Sequence, residues 1–487
     1  MGDAQFASQG SMYSFDALRF YESFLRSIRD EQLKTCLSTA VLPSKGPCSH
    51  ATPNGSVPDA VPLSNQDGPN FPGSVVWQSA YVVITRHLWR HYGTVVLPVL
   101  REHYGGLQQF MGYLQAIADN RTGLVMTDGM GEWAPPAAQG NNKNRTTPGA
   151  AVSAFYWLLD LKYMSEIALV LGHTDDAAEY TEAFERGRAA YHSAFAVSKD
   201  IDHPDWCFYA GCTQTAHLMP LVIDAVPMQM RPQVEHGLIT LIKDGDPSYG
   251  AVANTAGPIP PMHLVVGTVG ANFIFDVLTD IGADDVALSL LLQDTYPSYG
   301  LMVASDLDAP PMHGTAFPQR GSSSLWEQWE GQSSRNHIMS GGQLQSFFFT
   351  SIAGLDTASN ATSSGWRHVL FRPAHAAVKK LGRASAVIAT PLGTASVSWQ
   401  LVSKTLTLNS TVPAGAVGEL SFPLLSVSSD EASISEGGVA VWSAGKFVGG
   451  RRGVTAASVT RRGAKEAVTF LIGPGARSFV GNVAVKM

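Results

Sequence analysis

Over the first three-quarters of the chain, apolar positions recur at helical spacing. Leu18, Tyr21, Leu25 and Ile28 fall at i, i+3, i+7 and i+10, which predicts a helix over 13–32. Leu158, Leu161, Met164, Ala168 and Leu171 line one face of a helix over 150–171 that stops at Gly172, and a second follows over 175–195. The same spacing predicts helices over 75–91, 95–114, 213–223, 231–243, 265–281, 283–292 and 343–352. Consecutive helices join through tight turns on one side, while long loops over 126–148, 243–262 and 296–324 gather on the other. A ring of helical hairpins produces that asymmetry, with the long loops surrounding a cavity. Residues 1–11 read as a loop that carries an acid at Asp3, and 42–72 as a long Pro/Gly/Ser/Asn loop.

After Gly354-Leu355 the period changes to two. Ala395, Val397, Trp399 and Leu401 alternate with Ser396, Ser398 and Gln400, and Leu406 and Leu408 alternate with Thr405, Thr407 and Asn409. Val468, Phe470 and Ile472 continue the pattern. Such runs, separated by Gly, Pro and Ser, predict antiparallel strands buried on one face. The expected organisation is mainly α: a helical domain over 1–360, then an antiparallel β-sandwich over 366–487.

The 487 residues exceed one ordinary domain and suffice for a large core. Charged residues make up only 15%, against a usual share of about 25%, and the 45% apolar content is too high for a disordered chain. The net charge of −7 comes without a basic stripe, which argues against nucleic-acid or anionic-membrane partners. No run of about 18 apolar residues predicts a membrane-spanning helix. Cys36 and Cys48 flank one loop and Cys207 and Cys212 lie close in sequence, so either pair could bridge; four free thiols fit equally well, and the C-x-x-C spacing of a zinc site is absent. Sequons at Asn54, Asn120, Asn144, Asn360 and Asn409 suggest a secreted, extracellular product, although no signal-peptide pattern opens the sequence.

The densest candidate chemistry lies in SSSLWEQWEGQSSRNHIMS, residues 322–340. It carries Trp326, Trp329, Glu327, Glu330, Arg335 and His337. Indole faces stack on the CH faces of a sugar, and a carboxylate can bond hydroxyls or activate water. In the competing reading the two tryptophans are core residues and the acids face solvent. Asp3, Trp77, the Gly-Glu-Trp run ending at Trp133, and His263 add similar residue types on other long loops. His87 and His91 stand at i, i+4 but no third ligand is evident, so no metal is expected. Neither a nucleophile elbow nor a dinucleotide or phosphate loop occurs, so no cofactor is expected. Carboxylate chemistry remains, and glycoside hydrolysis is its commonest form on a helical ring.

Several motifs, in this order, resemble the α-L-rhamnosidases of glycoside hydrolase family 78. They are GDAQ at 2–5, PGSVVWQSA at 72–80, GEW at 131–133, TQTAHLMPL at 213–221, HLVVGTVG at 263–270, YPSYG at 296–300, SSLWEQWEG at 323–331, RNH at 335–337, FRP at 371–373 and PLGTASVSW at 391–399. The resemblance implies an (α/α)6 barrel followed by a β-sandwich, and inverting hydrolysis of terminal α-L-rhamnose from plant glycosides or polysaccharides. Glu327 matches the family's general base, Asp3 an acid that bonds rhamnose hydroxyls, Trp77 and Trp133 pocket tryptophans, and His337 a histidine that contacts the sugar. Glu330 would stand beside the base. In the family GDAQ closes a longer motif whose general acid is a glutamate several residues ahead of Asp3. That acid and the first barrel elements are therefore expected upstream of Met1, leaving the barrel here incomplete at its N-terminus. Inversion needs two carboxylates roughly 6.5–9.5 Å apart. Two further readings stay open: a rhamnose-binding remnant without turnover, and a six-hairpin glycosidase of different sugar specificity.

Overall fold

The computed structural model describes residues 1–33, 55–62, 72–127, 129–136, 147–197, 207–245, 261–303, 324–329, 331, 333–334, 336–359, 363–449 and 451–483. The helical part runs through α1 (Gly2–Ser14), α2 (Leu18–Leu33), α3 (Val75–Gln78), α4 (Ala80–Tyr92), α5 (Leu97–Ile117), α6 (Gly149–Leu171), α7 (Thr174–Phe195), α8 (Gln214–Val222) and α9 (Arg231–Asp244). Shorter helices follow at Thr268–Ala271, Ile274–Asp280, Asp284–Leu291, Tyr299–Val303 and Gly342–Phe347.

The hairpin of α6 and α7 shows how the ring is layered. Nearly every residue of α6 from Ala151 to Leu161 is buried, whereas α7 buries a single stripe that includes Ala177, Phe184, Tyr191 and Phe195. A helix apolar all round belongs inside, and an amphipathic one outside with its charges in water. Gly172 ends α6 in the left-handed region (φ 84°), and the next amide, His173 N–H, donates to Ala168 O at 2.9 Å.

The loop expected over 1–11, and the single helix over 13–32, are corrected. Helix α1 starts at Gly2, the chain turns extended at Phe15, and α2 begins at Leu18. Helix α1 shows no amphipathic stripe because protein surrounds it: Phe6, Ala7, Ser8, Met12 and Tyr13 are all buried. Its small residues admit neighbouring backbones. A Cβ on Gly10 would strike the Gly342 carbonyl, and one on Gly342 the carbonyl of Phe6. The helix predicted over 75–91 breaks at Ser79, whose hydroxyl bonds Asp160 Oδ2 (2.6 Å). That over 265–281 splits around Asn272 into the Thr268 and Ile274 helices. That over 343–352 becomes Gly342–Phe347 and then a π-helical turn, Phe348–Ala353. Most of 42–72 and parts of the other long loops lie outside the described residues.

The C-terminal strands are β1 (Leu355–Thr357), β2 (His368–Phe371), β3 (Arg383–Thr390), β4 (Gly393–Val402), β5 (Thr405–Val412), β6 (Val417–Pro423), β7 (Ile434–Glu436), β8 (Val439–Ser443), β9 (Lys446–Phe447), β10 (Val454–Arg462), β11 (Lys465–Ile472) and β12 (Gly475–Asn482). One sheet has the order β1-β2-β6-β11-β10 and the other β3-β4-β5-β12-β7-β8-β9. Pairing is antiparallel except between β2 and β6, which run parallel. The predicted alternation holds: Val397, Trp399, Leu406, Leu408, Val468 and Phe470 are buried, and Phe470 lies 4.9 Å from Phe479 of β12.

Strand β1 follows the π-helical turn directly, so the first sheet takes its edge strand from residues ahead of Trp366. Asp356 on this strand accepts Arg90 Nη2 of α4 at 2.6 Å and the Tyr13 hydroxyl of α1, which ties both helices to the sandwich. Cys207 and Cys212 form a disulfide with Cα atoms 4.9 Å apart, while Cys36 and Cys48 lie outside the described residues. Asn120 and Asn409 are exposed; Asn54, Asn144 and Asn360 fall outside the described residues.

Candidate active site

The segment around Glu327 folds back on itself. Glu327 N–H donates to Ser334 O and His337 N–H to Leu325 O, both at 2.9 Å. The turn passes through Gly331 (φ 65°), where a Cβ would sit 2.9 Å from the Trp326 ring, so the position needs glycine twice over. Trp326 and Trp329 are core residues, 3% and 6% exposed. Trp329 Nε1 donates to Val266 O (2.8 Å) and its ring lies 5.2 Å from that of Tyr299. With both tryptophans anchored inward, Glu327 between them reaches the cleft. Thr268, Asn272, Tyr299 and Gln343 line that cleft with it. Glu330 and Arg335 lie outside the described residues.

Glu327 is surrounded by donors. Trp133 Nε1 donates to Oε1 at 3.0 Å; the Ser333 hydroxyl and, at 3.4 Å, the Ser334 N–H donate to Oε2. Burial by itself raises the pKa of this carboxyl. The bonds from Ser333 and Trp133, the nearby His337 and the Ser334 amide outweigh it, so the pKa lies below the ordinary glutamate value. Its carboxylate is therefore ionised and ready to accept a proton. For a carboxylate expected to act as general base the sign follows: a depressed pKa keeps it competent as pH falls, down to that lowered value. Ser333→Ala removes a charge-assisted bond and is expected to move the acidic limb of kcat/KM upward by about 0.5–1 pH unit. An unmoved limb in the pH–rate profile would contradict that cause.

The other sequence candidates arrive from distant elements. Asp3, half-exposed, sits in the first turn of α1, where a helix N-terminus favours negative charge. Its Oδ2 lies 3.9 Å from His337 Nε2, while His337 Nδ1 faces the Met339 N–H. Trp77, on α3, is 7% exposed and meets Trp133 edge to face, with ring centroids 6.0 Å apart. A Cβ on Gly2 would lie 2.7 Å from the Trp77 indole, so α1 lies directly on that ring. Asp3, Trp77, Trp133, Glu327 and His337 thus meet in one place.

The other histidines singled out in the sequence, His263, His87 and His91, are held in local packing and hydrogen bonds away from Glu327. His263 places Nδ1 2.8 Å from Pro261 O and Nε2 2.8 Å from Thr295 Oγ1. His87 Nδ1 lies 2.7 Å from Ser8 Oγ, and His91 packs edge-on at 4.7 Å against Tyr13. Burial pushes both His87 and His91 well below the usual imidazole range. Among the described residues no group of three His, Cys, Asp or Glu could hold a metal ion. Ser333 and Ser334 gave no sequence signal beyond lying in the serine-rich run, and Glu132 none beyond its place beside Trp133.

The chain matches the bacterial alpha-L-rhamnosidase six-hairpin glycosidase domain over residues 1–352 and the bacterial alpha-L-rhamnosidase C-terminal domain over 354–434. An alpha-L-rhamnosidase of Streptomyces avermitilis is 26% identical over 433 residues, which cover 87% of this chain and 34% of that protein. One from Formosa agariphila is 24% identical over 435 residues, covering 87% and 39%. The chain therefore spans well under half the length of these curated relatives. The structure of the alpha-L-rhamnosidase from Dictyoglumus thermophilum superimposes with a TM-score of 0.76 at 25% identity, over 99% of this chain and 46% of that one. The Streptomyces avermitilis enzyme complexed with L-rhamnose shares the fold, with a TM-score of 0.72 at 23% identity over 100% of this chain and 38% of that one. Helical ring, sandwich and family match agree, and the chain belongs to the bacterial α-L-rhamnosidase six-hairpin glycosidase family.

Proposed function

We propose that this chain hydrolyses terminal, non-reducing α-L-rhamnose from rhamnose-containing glycosides or polysaccharides, with inversion at the anomeric carbon. The observation that carries the reading is Glu327: a carboxylate held ionised at an aromatic cleft, one oxygen fixed by Trp133 and the other by Ser333 and Ser334. Glu327 acts as general base. It takes a proton from water as the water oxygen attacks the anomeric carbon and the bond to the leaving oxygen breaks. Asp3 and His337 bond sugar hydroxyls, Trp133 offers its exposed edge to the ring, and Trp77 backs Trp133. In the resembled family, the proton for the leaving oxygen comes from a glutamate ahead of the 2–5 segment.

An aryl α-L-rhamnoside with an activated leaving group needs little acid help and is the substrate of choice. Proton NMR of the first turnovers is expected to show β-L-rhamnose before mutarotation. Initial α-L-rhamnose would overturn inversion. Absence of release, with L-rhamnose still bound in calorimetry, would make the chain a rhamnose-binding module.

A further inference from the structure

The loop that carries Trp133 is not held by its own backbone preferences. Gly129, Gly131 and Ala134 all have positive φ (49°, 56° and 53°), and for alanine that region is disfavoured. What fixes the loop is Glu132, 2% exposed. Its Oε1 accepts the Gly267 N–H at 2.6 Å and the Thr215 hydroxyl; its Oε2 accepts the Thr147 hydroxyl at 2.6 Å. Thr147 Oγ1 lies 2.7 Å from Thr213 Oγ1, which caps α8 by accepting the Ala216 N–H at 3.0 Å. On the other side of the same residue pair, Thr268 N–H donates to Trp133 O (2.8 Å). The approach leaves no slack: a Cβ on Gly267 would strike the Trp133 carbonyl.

Burying a carboxylate is costly, and an apolar side chain of similar size would fill this space without that cost. Burial pushes the Glu132 pKa up, and the Thr147, Thr215, Gly267 and Gly270 donors only partly offset it. The arrangement makes sense if the fixed point serves the neighbouring residue. Trp133 Nε1 is the donor on Glu327 Oε1, and it comes from a different element than the two serine donors. We propose that Glu132 is a positioning residue: it pins the backbone at Trp133 so that the indole N–H holds the Glu327 carboxylate in its working orientation. This rests on the proposed role of Glu327 as base.

Indole NMR of the full chain tests the link without relying on turnover. The ten tryptophans give ten indole N–H signals, and Trp133→Phe assigns one of them. That signal is expected to follow a carboxyl titration which disappears in Glu327→Gln. In Glu132→Ala it is expected to move towards the free-indole position and stop titrating, while tryptophans remote from it, such as Trp366, Trp399 and Trp442, keep their signals in place. Hydrolysis should fall by about 10–100-fold. Glu132→Gln can still accept from Gly267 and Thr215 while donating to the Thr147 oxygen, so it should restore the signal. A Trp133 signal unchanged in Glu132→Ala would overturn the proposal, as would displacement of all ten signals in both variants. Where the alanine variant does not fold, Thr147→Val removes one donor at constant volume, and an unmoved signal there overturns it equally. A chain that shows the coupling but releases no nitrophenol counts against hydrolysis and leaves the positioning role standing.

Discussion

Glutamine at position 327 is expected to lower the hydrolysis of a nitrophenyl α-L-rhamnoside by about 10²–10⁴-fold with little change in KM. The substitution preserves shape. The amide oxygen can still accept the Trp133 indole N–H, and the Ser333 hydroxyl can rotate to accept from the new amide nitrogen. Only the Ser334 N–H loses its acceptor, and at 3.4 Å that bond is already long. The loss in rate therefore reports the missing proton acceptor rather than a collapsed loop. Under the proposed role, Glu327→Ala opens space where the attacking water would stand. There azide, a nucleophile that needs no deprotonation, is expected to restore product as the β-rhamnosyl azide. A fall of less than tenfold in the glutamine variant, or no azide product in the alanine variant, would remove Glu327 from the role of base.

The second large effect concerns stability. Asp356→Ala is expected to cost about 3–5 kcal/mol and lower the melting temperature by roughly 3–5 °C. Arg90 and Asp356 side chains are only 9% and 14% exposed. Removing the carboxylate leaves a buried guanidinium without its paired acceptor, with only the more weakly coupled Asp276 as counter-charge, and deprives the Tyr13 hydroxyl of its acceptor. Asp356→Asn keeps an acceptor for both donors and should lose less. Pairing Asp356→Ala with Arg90→Met should recover part of the loss, because the stranded charge goes with it. Scanning calorimetry of the four proteins decides the matter. A loss below 1 kcal/mol in Asp356→Ala would show that water reaches Arg90 in the native state.

The parts of the fold that were legible in sequence are those where one residue type has one use. Gly172 ended α6 because a left-handed cap was needed, and the strict alternation of β4 and β5 marked a sheet with one buried face. Helix α1 looks like a loop in sequence because a largely enclosed helix built on Gly, Ala and Ser has no stripe to display. Its helicity is imposed by tertiary packing. The helix predicted over 265–281 starts only after Gly267, which lends its N–H to Glu132, and breaks again at Asn272; a Cβ on Gly270, inside the short Thr268–Ala271 helix, would collide with Thr215. At the site, the separate motifs that carry the family resemblance single out Glu327, Trp133, Trp77, Asp3 and His337, which the structure brings together. The 322–340 segment does not reveal in sequence which way Trp326 and Trp329 face. Ser333 and Glu132 were silent because a serine or a buried acid gains meaning only from its partner in space.

The two sources of donors on Glu327 differ in how they can change over evolution. Ser333 and Ser334 belong to the short turn that also carries the acid, whereas Trp133 is tied through Glu132 and three threonines to the frame of the ring. Substitutions within the turn can shift the acidity of the Glu327 carboxyl while the Trp133 loop stays untouched. Adaptation to a more acidic or more alkaline habitat is thus open to single changes at 333 and 334. A different placement of the Trp133 indole requires rebuilding a buried network whose members must change together.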